Sequence, residues 1–272
     1  VDDKIMNGLG VTKEIKEKDN LLIVKVIDEL NKDYPYGKQC KNRGGMWYTP
    51  ISGIWQSVWL EQVPQQYITS LKITPDRQGV ELVINEEAGL CENAKVTIYL
   101  HNGEVLNTNV TSGQAYIDLS KHRCEDGHIY DPRLWTMTEP YLYRMVVETK
   151  EDRVESYFAL RTIEIKKISH KGGETECVCL NGEPVFMHGV LDQGYFSDGI
   201  YTPAEEEEYE RDILRMKELG FNMLRKHIKI EPECFYYYCD KHGMLVMQDM
   251  VNNGDYNFIM DTALPTIGIK KY

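Results

Sequence analysis

Long hydrophobic runs and an excess of basic residues are both missing from this sequence. No stretch reaches the roughly 18 consecutive apolar residues of a membrane-spanning helix, so we expect no membrane partner. Asp and Glu number 43 against 31 Lys and Arg, a net charge of −12, which argues against nucleic acid as a partner. Repeats and low-complexity segments are also absent, and 42% hydrophobic residues over 272 positions are typical of a folded chain of about two domains.

Cysteine occurs seven times, in spacings that match no disulfide or metal template. The odd count favours free thiols in a reducing compartment, and the sequence shows no signal peptide. We therefore predict a cytoplasmic protein without a metal or other cofactor. Because the chain begins with Val1 rather than Met, we also expect the true N-terminus to lie upstream.

The first 166 residues have the pattern of β structure. Asn102-Gly103 stands between two strand-like runs and is typical of a tight hairpin. Short strands at such spacing indicate antiparallel sandwiches. Apolar runs and alternating patterns predict strands at 21–26, 57–61, 70–74, 80–84, 95–100 and 141–149.

From about residue 167 the pattern changes to alternating strands and helices. Thr202 followed by Pro203 predicts the start of a helix, and Gly220 predicts its end. The order β-α-β-α-β favours a parallel sheet. The predicted elements are a strand at 185–190, a helix from 202, a strand at 221–228, a helix from 231 to about 242 and a strand at 244–247.

Five segments, read in order, carry a family resemblance. They are SGIWQSVWLE at 52–61, LWTMTEPYLY at 134–143, ALRTIEI at 159–165, LNGEPVFMHGV at 180–190 and LGFNMLRKHI at 219–228. Their order and spacing resemble glycoside hydrolase family 2, the β-galactosidase, β-glucuronidase and β-mannosidase group. The resemblance covers almost the whole chain.

The resemblance implies a mainly β chain with three parts. Residues 1–66 resemble the C-terminal part of a jelly-roll sugar-binding domain, and residues 67–166 resemble an immunoglobulin-like β-sandwich. Residues 167–272 resemble the beginning of a (β/α)8 TIM barrel, through its third strand. The middle part agrees in length with the ~100 residues of such a sandwich.

The resemblance also implies a retaining glycoside hydrolase that cleaves β-linked O-glycosidic bonds in carbohydrates, with a β-glycoside as substrate. In this family two glutamates, at the ends of barrel strands four and seven, serve as acid/base and nucleophile. A whole barrel needs ~250 residues, so we expect both glutamates beyond Tyr272 and an inactive chain. A second copy of the chain is a candidate partner. The alternative is a non-catalytic carbohydrate-binding or structural β-sandwich protein.

Candidate site residues follow the first predicted barrel strand. Asp192 and Gln193 are placed at the mouth of the barrel, where they could bond sugar hydroxyls. An equal alternative is that Asp192 only organises the loop beside Gly194. The run 191–195 departs from the Asn-Arg-His continuation of better-known family members, so their sugar contacts do not transfer to it.

Further candidates lie on the next two strands. Arg225 matches the family arginine beside the nucleophile, where a guanidinium holds a carboxylate ionised; the alternative is an ordinary salt bridge. His227 shares a strand face with Arg225 because side chains alternate, and a structural histidine is equally compatible with the pattern. Asp249, after the third strand, is a further candidate at the mouth.

Aromatic residues near position 50 form the last group of candidates. Aromatic faces stack on sugar rings, and Trp47 and Tyr48 lie in a glycine-rich loop that could lean toward the barrel mouth. For Trp55 and Trp59 we expect burial in a sandwich core instead.

Overall fold

The computed structural model describes residues 16–31, 33–42 and 44–252. The two ends of the chain, from which a longer parent protein was predicted, lie outside these residues. Among the described helices, none has the length and apolar composition needed to cross a bilayer.

Two antiparallel sheets form the first part of the structure. In one sheet, β2 pairs with β1, β3 and β6, and the other has the order β5-β4-β7-β8. A 3-10 helix, Leu119–Lys121, follows β6. The strands are β1 (Ile68–Pro75), β2 (Gly79–Glu86), β3 (Gly89–Leu90), β4 (Asn93–Tyr99), β5 (Val105–Thr111), β6 (Gln114–Asp118), β7 (Tyr143–Glu148) and β8 (Arg153–Phe158).

The two sheets share one hydrophobic core. Every second residue of a strand faces the same side, so Leu82 of β2, Ile98 of β4 and Met145 of β7 all point inward and are fully buried. The predicted strands at 70–74, 80–84, 95–100 and 141–149 are confirmed. The hairpin at Asn102-Gly103 is confirmed as well, since it joins β4 to antiparallel β5.

The predicted strands at 21–26 and 57–61 are wrong. Neither segment has regular secondary structure, and both expose apolar side chains, including Leu22 and Trp59, whose exposed fractions are 73% and 75%. An apolar run becomes a strand only beside a partner that satisfies its backbone N–H and C=O groups. Within residues 16–31, 33–42 and 44–252 neither segment pairs with a strand. The expected burial of Trp59 is wrong for the same reason.

The second part of the structure begins with a three-stranded antiparallel sheet and continues as a three-stranded parallel sheet. The antiparallel sheet comprises β9 (Ile163–His170), β10 (Gly173–Leu180) and the short β11 (Glu183–Pro184). The parallel sheet has the order β12-β13-β14, which confirms the predicted β-α-β-α-β arrangement. Its elements are β12 (Gly189–Asp192), helix α1 (Glu207–Glu218), β13 (Met223–Lys226), helix α2 (Glu233–His242) and β14 (Leu245–Gln248).

Both helices end where the sequence predicts, but α1 starts later. Gly220 and Gly243 follow the helices with φ of 87° and 72°, a left-handed conformation that glycine adopts without strain. The predicted start of α1 at Thr202 is wrong, because its N-cap is Glu206. The Asp198 carboxylate accepts the N–H of Ala204 and holds this stretch as a turn ahead of the helix.

Trp135 joins the antiparallel part to helix α2. Its indole is fully buried in a small cluster with Ala159 and Leu180, separate from the main core. The indole N–H donates to the carbonyl of Asp240 at 2.7 Å, and the Arg161 guanidinium, lying over the indole, forms an ion pair with the Asp240 carboxylate. The two parts therefore meet through specific polar contacts at a buried surface.

Candidate active site

The carboxyl ends of the three parallel strands meet at one edge of the sheet. Asp192 at the end of β12 aligns with Lys226 of β13, which aligns with Gln248 of β14. In parallel α/β sheets this edge is where functional side chains collect. His227 and Asp249 come directly after β13 and β14 and lie at this edge.

The Asp249 carboxylate links two side chains of the neighbouring strand. Arg225 Nε donates to Oδ1 at 3.0 Å, and His227 Nδ1 lies 2.8 Å from Oδ2. Burial by itself would raise the pKa of Asp249, but the hydrogen bonds from its two partners and the positive charge of Arg225 outweigh that effect and hold the pKa below its ordinary value. Asp249 is therefore an ionised anchor that orients both partners.

Lys38 reaches the same cluster from the N-terminal region. Its Nζ lies 3.0 Å from His227 Nε2. An ammonium group has only donors, so Nε2 accepts this hydrogen bond and the imidazole proton sits on Nδ1, facing Asp249. Burial lowers the pKa of Lys38, an effect that the Asp249 charge opposes. The result is a hydrogen-bonded row from Lys38 through His227 to Asp249.

The N-terminal segment is seated tightly against the strand ends. Gly37 N–H donates to the carbonyl of Asn252 at 2.7 Å, and the Tyr48 N–H donates to the carbonyl of Lys38. Gly37 has a φ of 66°, and a Cβ at this position would lie 2.9 Å from the carbonyl oxygen of Ile228. Only glycine allows this approach without displacement of the backbone.

Aromatic rings flank the polar row. Tyr48 packs against Tyr195 with ring centroids 5.1 Å apart and lies edge-on to His227 at 6.3 Å. Tyr195 also packs against Tyr201, and the ring centroids of Tyr201 and Trp55 are 4.6 Å apart. Trp55 thus packs on this edge rather than in the sandwich core, which corrects the sequence-based expectation.

A buried ion-pair network supports the site from the opposite face of β13. Lys226 Nζ lies 2.7 Å from both Asp192 and Glu231, and Lys229 Nζ lies 2.9 Å from Glu231. The Tyr209 hydroxyl donates to the second Glu231 oxygen. The two lysines are balanced by two carboxylates, as buried charges require.

Lys229 holds the loop that follows β12. Its ammonium donates to the carbonyls of Gly194 and Tyr201 and lies over the Tyr201 ring, 4.4 Å from the centroid. Burial lowers its pKa to about 8, although the Glu231 charge acts in the opposite direction. Asp192 fixes the same loop, since one of its oxygens accepts the Gly194 N–H at 2.9 Å and the other faces Lys226.

The structure brings most of the predicted site residues to this edge. Arg225, His227, Asp249 and Tyr48 lie together, while Asp192 is turned toward the buried network, in the loop-organising role. Contact of these residues with sugar stays a prediction.

Two predicted residues lie outside this cluster. Gln193 is exposed beside Asp192. Trp47 is half-buried in its own loop, where its N–H donates to Gly44. Their contact with sugar also stays a prediction.

Four charged residues were not predicted from the sequence to belong to the site. Lys38 gives no signal, because it is remote in sequence from His227. Lys226 is the last residue of β13, and Lys229 and Glu231 follow it within five residues. Charges so close to the buried Leu224 and Ile228 could have indicated a buried network. Glu231 precedes α2 and is buried between two lysines.

The arrangement can bind a polar, hydroxyl-rich molecule. Arg225 is half-exposed, so its guanidinium has room for a further acceptor beside Asp249. The Tyr48 and Tyr195 rings offer apolar surface next to these charged groups. Fixed polar groups beside aromatic faces are the combination that sugar recognition uses.

Comparison with known proteins gives a consistent set of relatives. A family model described as glycosyl hydrolases family 2 matches residues 66–161. A β-galactosidase of Photobacterium profundum is 28% identical over 91% of this chain and 24% of its own length. A putative β-glucuronidase of Formosa agariphila is 23% identical over 89% of this chain and 29% of its own length. The chain spans about a quarter of the length of these curated relatives.

Solved structures show the same fold over the shared region. A β-glucuronidase of Faecalibacterium prausnitzii superimposes with a TM-score of 0.54 at 22% identity, covering 67% of this chain and 28% of its own. A β-D-glucuronidase of Dictyoglomus thermophilum gives a TM-score of 0.56 at 16% identity, covering 72% and 31%.

Proposed function

Because the chain belongs to glycosyl hydrolase family 2, we propose that it is part of a retaining glycosidase that hydrolyses β-linked O-glycosidic bonds. Its relatives named as β-galactosidase and putative β-glucuronidase support this class of substrate. The chain's own contribution is the part of the active site built on the first three strands of a barrel.

The architecture proposed for the chain has three parts. Residues 1–66 belong to a jelly-roll sugar-binding domain, residues 67–166 form an immunoglobulin-like sandwich, and residues 167–272 begin a TIM barrel. Two antiparallel sheets around one core support the second assignment. Three consecutive parallel strands joined by helices support the third.

One observation carries the proposed site. Arg225 and His227 converge on the ionised Asp249 at the carboxyl end of the parallel sheet, with Tyr48 packed beside them. In a TIM barrel this edge faces the substrate. Arg225 then holds the nucleophile carboxylate ionised, while Asp249 fixes the guanidinium in its orientation.

The chemical step needs two further carboxyl groups about 5–5.5 Å apart. One protonates the leaving oxygen while the other attacks the anomeric carbon, and water then releases the sugar from the enzyme. We assign neither role to residues of this chain and expect both glutamates on further barrel strands.

A hydrolysis and binding experiment tests this function. The purified chain is incubated with nitrophenyl β-galactoside, β-glucuronide and β-mannoside, and binding of each is followed by ligand-observed NMR. We expect weak binding of at least one glycoside and no release of nitrophenol above the buffer rate. Turnover by the chain would overturn the assignment of both glutamates to other strands, and failure to bind any of the three would overturn the proposed site.

A further inference from the structure

Three side chains with metal-binding atoms meet where two loops of the antiparallel part come together. Glu104 lies in the connection between β4 and β5, and His122 and Cys124 follow the 3-10 helix after β6. A carboxylate oxygen, an imidazole nitrogen and the thiol sulfur all lie within 4.8 Å of one another. None of these residues belongs to the candidate active site.

The positions of the three groups are fixed by the backbone around them. The Glu104 carbonyl accepts the N–H of Leu100 at 2.9 Å, which closes the hairpin turn. His122 N–H donates to Leu119 O at 3.1 Å, and Cys124 N–H donates to His128 O at 2.8 Å. His122 and Cys124 are two residues apart in extended chain, so their side chains point to the same side.

The side-chain contacts orient the donor atoms toward one point. His122 Nε2 lies 3.1 Å from one Glu104 oxygen, and the other oxygen accepts the N–H of Glu125 at 3.0 Å. The Asn102 amide lies 3.5 Å from the Cys124 sulfur. Around a tetrahedral zinc ion, ligand atoms lie roughly 3.4–3.8 Å apart, so small side-chain rotations are enough to close the group.

We propose that Glu104, His122 and Cys124 form a zinc site, with water in the fourth position. A thiolate and an imidazole select a borderline-soft ion such as Zn²⁺ over Mg²⁺ or Ca²⁺, which take oxygen ligands. The thiolate and carboxylate together carry two negative charges, which the ion neutralises. On binding, the thiol proton passes to solvent and the Glu104–His122 contact is replaced by two bonds to the metal.

The ion would connect the β4–β5 hairpin to the segment between β6 and β7. Without a metal, the Glu104 carboxylate is the hydrogen-bond partner of both the His122 imidazole and the Cys124 thiol. Zinc gives all three groups one partner. Its binding should therefore stabilise the antiparallel part, because the site does not exist in the unfolded chain.

Metal titration of the full chain tests the proposal. The protein is stripped with a chelator under reducing conditions and titrated calorimetrically with Zn²⁺, and with Co²⁺ in a spectrophotometer. We expect one ion per chain, a thiolate-to-cobalt charge-transfer band with the d–d absorption of tetrahedral cobalt, and a rise in Tm with Zn²⁺. The absence of stoichiometric Zn²⁺ binding would overturn the proposal.

Variants assign the binding to this cluster. Cys124→Ser and, independently, the milder Glu104→Gln should weaken Zn²⁺ binding at least about tenfold. The charge-transfer band should vanish in Cys124→Ser. Cys177→Ser, which removes another partly buried thiol, should bind as the parent does. Unchanged binding in both cluster variants, or loss in Cys177→Ser, means that the ion binds adventitiously elsewhere and contradicts the proposal. Circular dichroism of each metal-free variant checks that it is folded.

Discussion

His227 Nδ1 and the Asp249 carboxylate face each other across the ends of two neighbouring parallel strands, 2.8 Å apart. Lys38 occupies the other imidazole nitrogen, so the ring is held from both sides and in one tautomer. Arg225 shares the same carboxylate. These contacts bring together three stretches of chain that are remote in sequence, at the edge that we propose faces the substrate.

The first prediction concerns Asp249→Asn. The change removes the negative charge that Arg225 and His227 both contact. We expect the free energy of unfolding at pH 7 to fall by about 1 kcal/mol. The effect is no larger because Arg225 is half-exposed and solvent screens its charge. The folded-state pKa of Asp249 is lowered, so its stabilisation is present above about pH 4 and is lost as the pH falls through the folded value.

Urea denaturation from pH 7 to pH 2.5 measures this effect. The difference between the parent and Asp249→Asn should shrink toward zero at the acid end. Glu155→Gln, which breaks the exposed pair with Arg144, is the matched control and should change stability little. A difference that stays constant with pH would show that the Asp249 charge does not act as described.

The second prediction concerns the buried Lys229. Its folded-state pKa is about 8 against an ordinary value near 10.4, so between these values the unfolded chain binds more protons and stability rises with pH. The contribution approaches about 1 kcal/mol per pH unit. The neutral amine keeps two N–H donors for Gly194 and Tyr201.

Lys229→Met removes this titration while retaining the length of the side chain. Between pH 8 and 9.5, the free energy of unfolding of the parent should rise relative to that of the variant. Equal slopes for the two proteins would contradict the lowered pKa.

The third prediction uses two glycines in the N-terminal segment. Gly37 and Gly45 both have positive φ, but only Gly37 is crowded, by Ile228. Gly37→Ala should therefore cost about 1–2 kcal/mol more than Gly45→Ala. Chemical denaturation compares them, and similar losses in both variants would show that the close approach to Ile228 is unimportant.

The fourth prediction concerns the contact between the two parts of the structure. Trp135→Phe leaves the Asp240 carbonyl without the indole donor and opens space in a buried cluster, which should cost about 2–3 kcal/mol. Trp59→Phe, at a side chain that is 75% exposed, should leave the midpoint of thermal unfolding nearly unchanged. Thermal unfolding followed by circular dichroism distinguishes the two.

Local patterns predicted β1, β2, β4 and β7 of the antiparallel sheets and the parallel order of β12, β13 and β14, because each pattern reports burial within a single element. The segments at 21–26 and 57–61 carry the same pattern, yet a strand also needs a partner, which a local pattern cannot supply. The start of α1 was misplaced because Asp198 holds residue 204 in a turn, a contact that Thr202 and Pro203 do not reveal.

The candidate site also contains some residues that a local pattern can predict and others that it cannot. Arg225 and His227 could be predicted to share a face because they are two residues apart on one strand. Lys38 could not be predicted, since 189 residues separate it from His227 and only the fold brings them together. The burial of Glu231 was missed because acids before a helix usually face solvent, whereas two lysines neutralise this one.

Glycoside binding by matched arginine variants decides whether sugar binds at the ends of the parallel strands. Arg225 and Arg144 have side chains that are 50% and 51% exposed, and each pairs with a carboxylate, but only Arg225 lies at the proposed site. We expect Arg225→Gln to weaken glycoside binding by at least about tenfold, or about 1.4 kcal/mol, and Arg144→Gln to leave it unchanged. Equal affinities in the parent and both variants would contradict a sugar-binding site at the ends of the parallel strands.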